Sequence, residues 1–431
     1  MGISIVQKSN LDHPKANPKL ALVLAGGAVT GGAFKLGGLK AFSRFMVNRR
    51  FNDFDIFVGV SAGSIIAAFL ANAIPIGQII RSLEGKKGML APMRAAELYF
   101  PNYQDFTINP LVALIRMLSF PSQSAFDFVW ANNIFRRKFR QLMLRAVFAP
   151  NYENMEQFAA YCLRQVSLAI RRHQPQWRVL PNGIFSTQKF ERSMRKNLEQ
   201  TGWGNNFKRL YEQTGKELYI VAMNLDCATR AVFGHKQRND QINTIPISQA
   251  VQASIAMPLF YAPVTIRGTD YIDGAIIKTT SIDLAIDRGA DLTICYNPFR
   301  PVNCESFQNT CANLSNSSTI TNNGINAIMN QVLRTLLHTR LIHGMNLYRQ
   351  NPDFKGDIIL IEPGEADQKF FNMNPLSFWD RNKAYLHGFE SVMLSVGHKY
   401  DQLNRILGAH GIETNSNFDK RNAYFSDYKE G

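Results

Sequence analysis

Two continuous apolar runs, Leu20–Ala25 (LALVLA) and Ile56–Val60 (IFVGV), stand 30 residues apart, and each leads straight into a turn containing glycine. Strands that are apolar on both faces belong inside a parallel sheet with helices on each side. Between them Phe34, Leu36, Leu39, Phe42, Phe45 and Met46 recur at helical spacing, so this stretch predicts a βαβ unit. Such units are right-handed, with parallel and usually neighbouring strands. The loop after Ala25 and the turn after Val60 therefore leave the sheet at one edge, where open α/β sheets bind ligands.

Strand patterns return at ELYIVAM (217–223), at a hairpin formed by APVTIRG and TDYID (262–273), at DLTICYN (291–297) and at DIILIE (357–362). Ile325–Tyr348 and Phe378–Leu407 predict helices, residues 303–324 form a polar Asn/Ser/Thr loop tract, and residues 1–18 read as an irregular segment. The expected organisation is one α/β domain over 19–300 carrying a helical insertion at about 85–215, with residues 301–431 completing or flanking it. The insertion is basic: residues 130–200 hold 13 Lys/Arg against four Glu, a net +9 of the chain's +15. Arg136, Arg137, Lys138, Arg140, Arg171 and Arg172 alternate there with Phe128, Trp130, Phe135, Phe139, Phe148 and Trp177. Two compatible readings fit: aromatics packed in a core under solvated charges, or a basic amphipathic face that touches lipid. No nucleic-acid recognition motif accompanies the charge, so an anionic membrane surface is the expected polyanion and nucleic acid is not.

At 45% hydrophobic and 19% charged residues, the 431-residue composition excludes collagen-like, coiled-coil and wholly disordered classes. Five cysteines (162, 227, 295, 304, 311) at irregular spacing fit neither a disulfide framework nor a zinc site, which suggests a reducing compartment. The start MGISIVQKSN lacks the basic opening and long apolar run of a secretory signal. The most apolar run, Ser64–Ile76, is short of the roughly 20 residues that span a bilayer. The expectation is a cytoplasmic protein whose membrane association is peripheral.

Gly59-Val60-Ser61-Ala62-Gly63 follows a predicted strand and precedes a predicted helix, the context a nucleophile elbow requires. The glycines leave room for a sharp turn that presents the serine oxygen above a helix N-terminus, whose partial positive charge favours an oxyanion. Gly26-Gly27-Ala28-Val29-Thr30-Gly31-Gly32 lacks the GK[ST] ending of a phosphate loop, and Ala28 replaces the middle glycine of a dinucleotide fingerprint. The remaining chemical use of such a loop is to aim main-chain amides at an oxyanion. The late histidines His338, His343, His387 and His398 all fall on predicted helices, so none suits a base. Asp273 in YIDGA ends a strand, but Asp-Gly is commonly only a turn, and the residues alone leave the base open.

The ordered set LVLAGGAVTGGAFKLGGL (22–39), GVSAGS (59–64), ELYIVAMNLDCATRAVFG (217–234), ASIAMPLFYAPV (253–264) and YIDGA (271–275) resembles the patatin-like phospholipase family from about Leu20 to Asp291. The resemblance implies a three-layer α/β/α sandwich with a mainly parallel central sheet. It also implies a lipid acyl hydrolase, of phospholipase A or lysophospholipase type, acting on phospholipid or another acyl ester without metal or organic cofactor. By position, Ser61 would be the nucleophile, Asp273 the base, and the amides of Gly26, Gly27 and Ala28 the oxyanion hole. Two departures stand out: Ala28 and Thr30 replace a glycine and a basic residue of the family's GGGxRG or GGGxKG loop, and Thr279-Thr280-Ser281 replaces its NNP. Lys35, one helical turn on, is a candidate to replace the missing cation in part. An acyl channel is expected from Ile65, Ile66, Met257, Leu259, Phe260 and parts of the insertion. The competing readings are a soluble esterase or thioesterase on the same Ser-Asp pair, and a catalytically weakened module that binds lipid or a protein partner; a protein activator is a further expected partner class.

Overall fold

The computed structural model describes residues 2–103, 133–148, 154, 157, 158, 161, 182–200, 203–236, 241–303, 320, 324–364 and 367–415. It divides into two compact units, one of residues 1–100 with 186–431 and one of residues 101–185. In the second unit, the helix Asn133–Phe148 carries five basic residues and no acidic one. Arg137, Lys138, Arg140 and Arg145 are exposed on it beside Met143, Leu144 and Phe148. Phe128, Trp130, Arg171, Arg172 and Trp177, named above, lie outside the described residues, as does most of the 303–324 tract.

The first unit is built on a ten-stranded sheet. Its strands are β1 (Ile3–Val6), β2 (Leu20–Leu24), β3 (Ile56–Val60), β4 (Glu217–Asn224), β5 (Thr229–Phe233), β6 (Gln241–Ile242), β7 (Val264–Ile266), β8 (Thr269–Asp273), β9 (Leu292–Tyr296) and β10 (Asp357–Ile361). The order is β1-β10-β9-β2-β3-β4-β8-β7, with β5 on β4 and β6 on β5. The central run from β10 to β4 is parallel, while β1, β5, β7 and β8 pair antiparallel. Every residue of β2, β3, β9 and β10 is buried, as both-face apolar strands require.

Helices cover both faces. On one side α1 (Ala28–Phe45), α2 (Ala62–Ala71), α3 (Ile247–Ser254) and α6 (Arg381–His398) pack against the sheet or each other. On the other, Ile282, Leu284 and Ala285 of α4 (Ile282–Asp287) and Leu337, Leu341 and Met345 of α5 (Gly324–Gln350) join Val23, Val58, Val60, Val221, Cys295 and Leu360 in one core. This is the three-layer α/β/α sandwich. From β2 the chain moves to β3 on one side and much later returns to β9 on the other. The switch point therefore lies at the carboxyl end of β2, where the glycine loop begins.

Two sequence expectations are corrected. Residues 1–18 are not wholly irregular, because Ile3–Val6 adds an antiparallel edge strand to β10 and buries Ile3 and Val6. Four residues carry too little periodicity to be read as a strand; the unpaired edge of β10 supplies the main-chain partners. The helix expected over 378–407 is two, α6 and α7 (Tyr400–Ala409), broken at Lys399 with φ −117° and ψ 22°.

Helix α1 tolerates internal glycines because its partners come within backbone contact. A Cβ on Gly37 would lie 1.9 Å from the Tyr385 carbonyl oxygen, and one on Gly388 of α6 would lie 2.0 Å from that of Phe34. Gly388→Ala is therefore expected to lower unfolding stability by about 2 kcal/mol through overpacking. Gly344→Ala, at a position of α5 with open space around it, should raise stability by about 0.5–1 kcal/mol by helix propensity. Parallel urea titrations of the two variants check both signs.

Candidate active site

Two strands meet end to end on one edge of β4. β3 pairs with Glu217–Val221, β8 pairs in the opposite sense with Ala222–Asn224, and β5 occupies the other edge at Ile220–Asn224. Val60, the last residue of β3, faces Val221, and Asp273, the last residue of β8, faces Ala222. The residue after Val60 is thus delivered to the level of Asp273 by strand register alone. Gly274 makes the meeting possible, since a Cβ there would lie 2.3 Å from the Val221 carbonyl oxygen.

Ser61 occupies the turn with φ 52° and ψ −131°, a conformation costly for any residue with a side chain and held here by its surroundings. Its amide donates to Ser254 Oγ at 2.8 Å, and Ser254 Oγ donates onward to the Val221 carbonyl at 2.6 Å. Its carbonyl accepts from Ser64 Oγ and the Ser64 amide. Both flanking glycines are needed for space: a Cβ on Gly59 would lie 2.4 Å from Ser64 Cα, and one on Gly63 would lie 2.2 Å from the Leu24 carbonyl oxygen. With its backbone consumed in this way, Ser61 has only its hydroxyl free, and that hydroxyl favours the ionised form of the Asp273 carboxyl.

Asp273 is 3% exposed. Its Oδ1 accepts from the Ala275 amide at 2.9 Å, and its own amide donates to the Ala256 carbonyl at 2.9 Å. Burial pushes the carboxyl up to about 6, opposed by the Ser61 hydroxyl, the Ala275 amide and the charge of Lys35. A carboxylate with a pKa near 6 is a better proton acceptor than one near 4, yet is still ionised at neutral pH.

The glycine loop lies against the serine: a Cβ on Gly26 would come within 3.1 Å of Ser61 Cβ. Among the described residues, the amides of Gly26, Gly27 and Ala28 donate to no other protein group, whereas those of Val29 and Thr30 donate to the Pro375 carbonyl at 3.0 and 3.1 Å. Gly27 has φ 144° and Ala28 φ 51°, which turn successive amides away from the regular helical direction. Thr30 is buried with its hydroxyl on the same Pro375 carbonyl at 3.4 Å, so this position holds a neighbouring loop instead of presenting a cation. Lys35 does not reach into the site either. It is fully buried and donates to the carbonyls of Ala25 and Gly26, the latter at 2.8 Å.

Beside Ser61 an apolar cavity of about 80 Å³ is lined by Ile65, Ile66, Phe69, Ile79, Met257 and Leu376, among others. Ile65, Ile66 and Met257 are where the sequence reading put them. Leu259 and Phe260 are not among the lining residues: Leu259, with φ 73°, is 80% exposed. Thr279 ties its hydroxyl to the Leu337 carbonyl at 2.8 Å, so the segment replacing NNP anchors α5. His338 pairs with Glu362, His387 with Glu390, and His398 with the Leu394 carbonyl. Among the described residues no three His, Cys, Asp or Glu side chains converge on a point that would hold a metal ion. Sequence reasoning missed Ser254, Pro375 and the direction of Lys35, because each acts through a main-chain hydrogen bond that only the folded chain brings together.

The switch point of this α/β sheet thus gathers a strained serine, a buried carboxylate and a row of undonated amides. Residues 22–286, well over half of the chain, match the model of the family described as Patatin-like phospholipase, and the chain belongs to that family. It is 28% identical over 108 residues to the "Probable lipid hydrolase 463L" of Invertebrate iridescent virus 6, across 24% of this chain and 35% of that protein, so the match spans about a third of the viral protein. Solved structures similar to it are VipD from Legionella pneumophila (16% identity, TM-score 0.36, 92% of this chain and 70% of that one) and the type III effector ExoU (12%, TM-score 0.32, 90% and 54%). A further one is full-length SpcU in complex with full-length ExoU from the type III secretion system of Pseudomonas aeruginosa (15%, TM-score 0.27, 83% and 56%).

With Asp273 as the proton acceptor, initial rates on a soluble ester are expected to rise with pH through about 6 as its carboxyl ionises. The same shift has a stability consequence of known sign. Folding raises this carboxyl from 3.8 to about 6, so its contribution is fully present below 3.8 and is lost as pH rises through 6. Asp273→Asn should therefore melt higher than wild type at pH 7, converge with it near pH 3.5, and lose at least about 10³-fold in kcat. Scanning calorimetry at the two pH values, with ester assays alongside, reads both effects.

Proposed function

We propose that this protein is a lipid acyl hydrolase that cleaves fatty-acyl esters of phospholipids or lysophospholipids through Ser61 and Asp273, with the amides of Gly26, Gly27 and Ala28 receiving the oxyanion. The observation that carries this reading is the convergence of a strained serine, a buried carboxylate at its hydroxyl and three undonated amides beside it, opening on an apolar cavity. Family membership supports the same substrate class.

In the reaction, Asp273 takes the Ser61 proton as Oγ attacks the ester carbonyl carbon. The carbonyl oxygen becomes an anion within reach of the loop amides, where one donor is typically worth about 10²–10³ in rate. As the tetrahedral species collapses, the C–O bond to the alcohol breaks, and Asp273 returns the proton to the leaving oxygen. Water then repeats the sequence on the acyl-enzyme: Asp273 accepts its proton, the fatty acid leaves, and Ser61 regains the hydrogen. The aliphatic side chains beside Ser61 are suited to the acyl chain, since burying each methylene contributes roughly 0.8 kcal/mol.

The exposed basic and apolar residues of the 133–148 helix support a peripheral approach to anionic lipid, each Lys or Arg near such a surface adding about 1 kcal/mol. Among the described residues no helix is long and apolar enough to cross a membrane.

Wild type incubated with mixed phospholipid vesicles is expected to release free fatty acid and lysolipid, detected by mass spectrometry, and to be labelled covalently by a fluorophosphonate. Ser61→Ala should do neither. Fluorophosphonate labelling that persists in Ser61→Ala would contradict the assignment. Turnover of short esters with no response to vesicles would shift it to a soluble esterase on the same residues, and equal slow turnover by wild type and Asp273→Asn would shift it to a binding module.

A further inference from the structure

Lys35 is the one strongly basic side chain at the glycine loop among the described residues that lies wholly inside the protein, and the mechanism above assigns it nothing. An uncompensated buried ammonium is costly, so its position calls for a reason. It sits on α1 with Nζ donating to two successive main-chain carbonyls, Ala25 and Gly26. In a trans peptide the C=O and N–H of one plane point in opposite directions. The Ala25 carbonyl shares its plane with the Gly26 amide, and the Gly26 carbonyl shares its plane with the Gly27 amide. Holding both carbonyls on the Lys35 side therefore turns both amides to the other side, and these are amides that donate to no protein group. The third amide, Ala28, is set separately: the Gly27 carbonyl in its plane accepts from the Gly31 amide at 2.9 Å as α1 begins.

The geometry points to Lys35 as the positioning residue that aims two of the three oxyanion-hole amides and places a positive charge behind them. Here the cation absent at Thr30 is replaced from beneath the loop, through the peptide planes, and not from the substrate side. Two other ionisable groups face Lys35. Asp273 and Cys295 act on it from β8 and β9, both in the sense that favours its charged form, against burial that lowers it to about 7. Lys35 in turn favours the ionised form of Asp273. One side chain thus acts on both halves of the site: the amides that receive the oxyanion and the carboxylate that takes the proton.

This inference rests on the hydrolase reading, and its test separates the two. The variant is Lys35→Met, which keeps the length and packing of the side chain and removes donor and charge, assayed on a soluble p-nitrophenyl ester alongside fluorophosphonate labelling of Ser61. The expected result has three parts. First, kcat falls about tenfold to hundredfold with KM within about threefold, because the loss falls on the transition state. Second, the labelling rate falls by a similar factor. Third, the acid limb of the pH profile moves to higher pH, because Asp273 has lost the cation that favours its ionised form. Lys35→Arg, which still carries donors and charge, should recover part of kcat. Wild-type kcat, labelling rate and acid limb in a folded Lys35→Met would overturn the inference while leaving Ser61 chemistry standing. If wild type itself is neither labelled at Ser61 nor active on esters, the hydrolase reading falls and this one with it. Should Lys35→Met not fold, Lys35→Gln is read the same way, and failure of both to fold would assign Lys35 to the core instead.

Discussion

The site depends on a collision that is avoided by one atom. β3 and β8 run toward each other along the same edge of β4, and their final residues face Val221 and Ala222, which are consecutive. Strand spacing leaves about 3.3 Å per residue, so there is no room for a linking residue between them. The chain must turn out of the sheet on both sides of the junction, at Ser61 on one and at Gly274 on the other. Those two turns face each other, and the side chains at the junction, an alcohol and a carboxylate, are forced into contact. The strained φ of Ser61 and the missing Cβ of Gly274 follow from this single geometric fact.

Burial then sets the chemistry. Asp273 and Lys35 are both enclosed beneath the loop, each shifted toward its neutral form by lost solvation and drawn back by the other's charge. The carboxylate is left near 6, ionised at neutral pH yet ready to take a proton. A solvated aspartate would be a weaker base, and a deeply buried one without a partner would stay protonated. The same burial is a standing cost to stability, as expected where a fold holds a reactive group in place.

Legibility from sequence followed the range of the interactions. The βαβ unit, the elbow and the hairpin bearing Asp273 are local: apolar runs, helical spacing and glycines within 45 residues encode them, and the structure has them at the expected positions. The Arg267-Gly268 turn, with both residues at positive φ, closes that hairpin as its Gly invites. The edge strand Ile3–Val6 was illegible because its partner is more than 350 residues away. The break at Lys399 went unread although Gly397 stands two residues before it, because a lone glycine inside a helical pattern is ordinarily tolerated. Leu259 read as an acyl-channel residue by its apolarity, but its backbone turns it outward.

The amino-acid sequence by itself determined the kinds of groups and their local frames: a serine on a strand-to-helix turn, an aspartate closing a strand, and a glycine loop able to expose amides. It did so because steric and periodic constraints act over a few residues. The tertiary structure decided which of these meet, how deep they lie, and which way the peptide planes of the loop face. Those outcomes turn on the register of β3 and β8 against β4, and on a lysine side chain bonding carbonyls nine and ten residues before it. Desolvation and hydrogen-bond direction exist only once distant segments are packed together, so no reading of neighbouring residues could supply them.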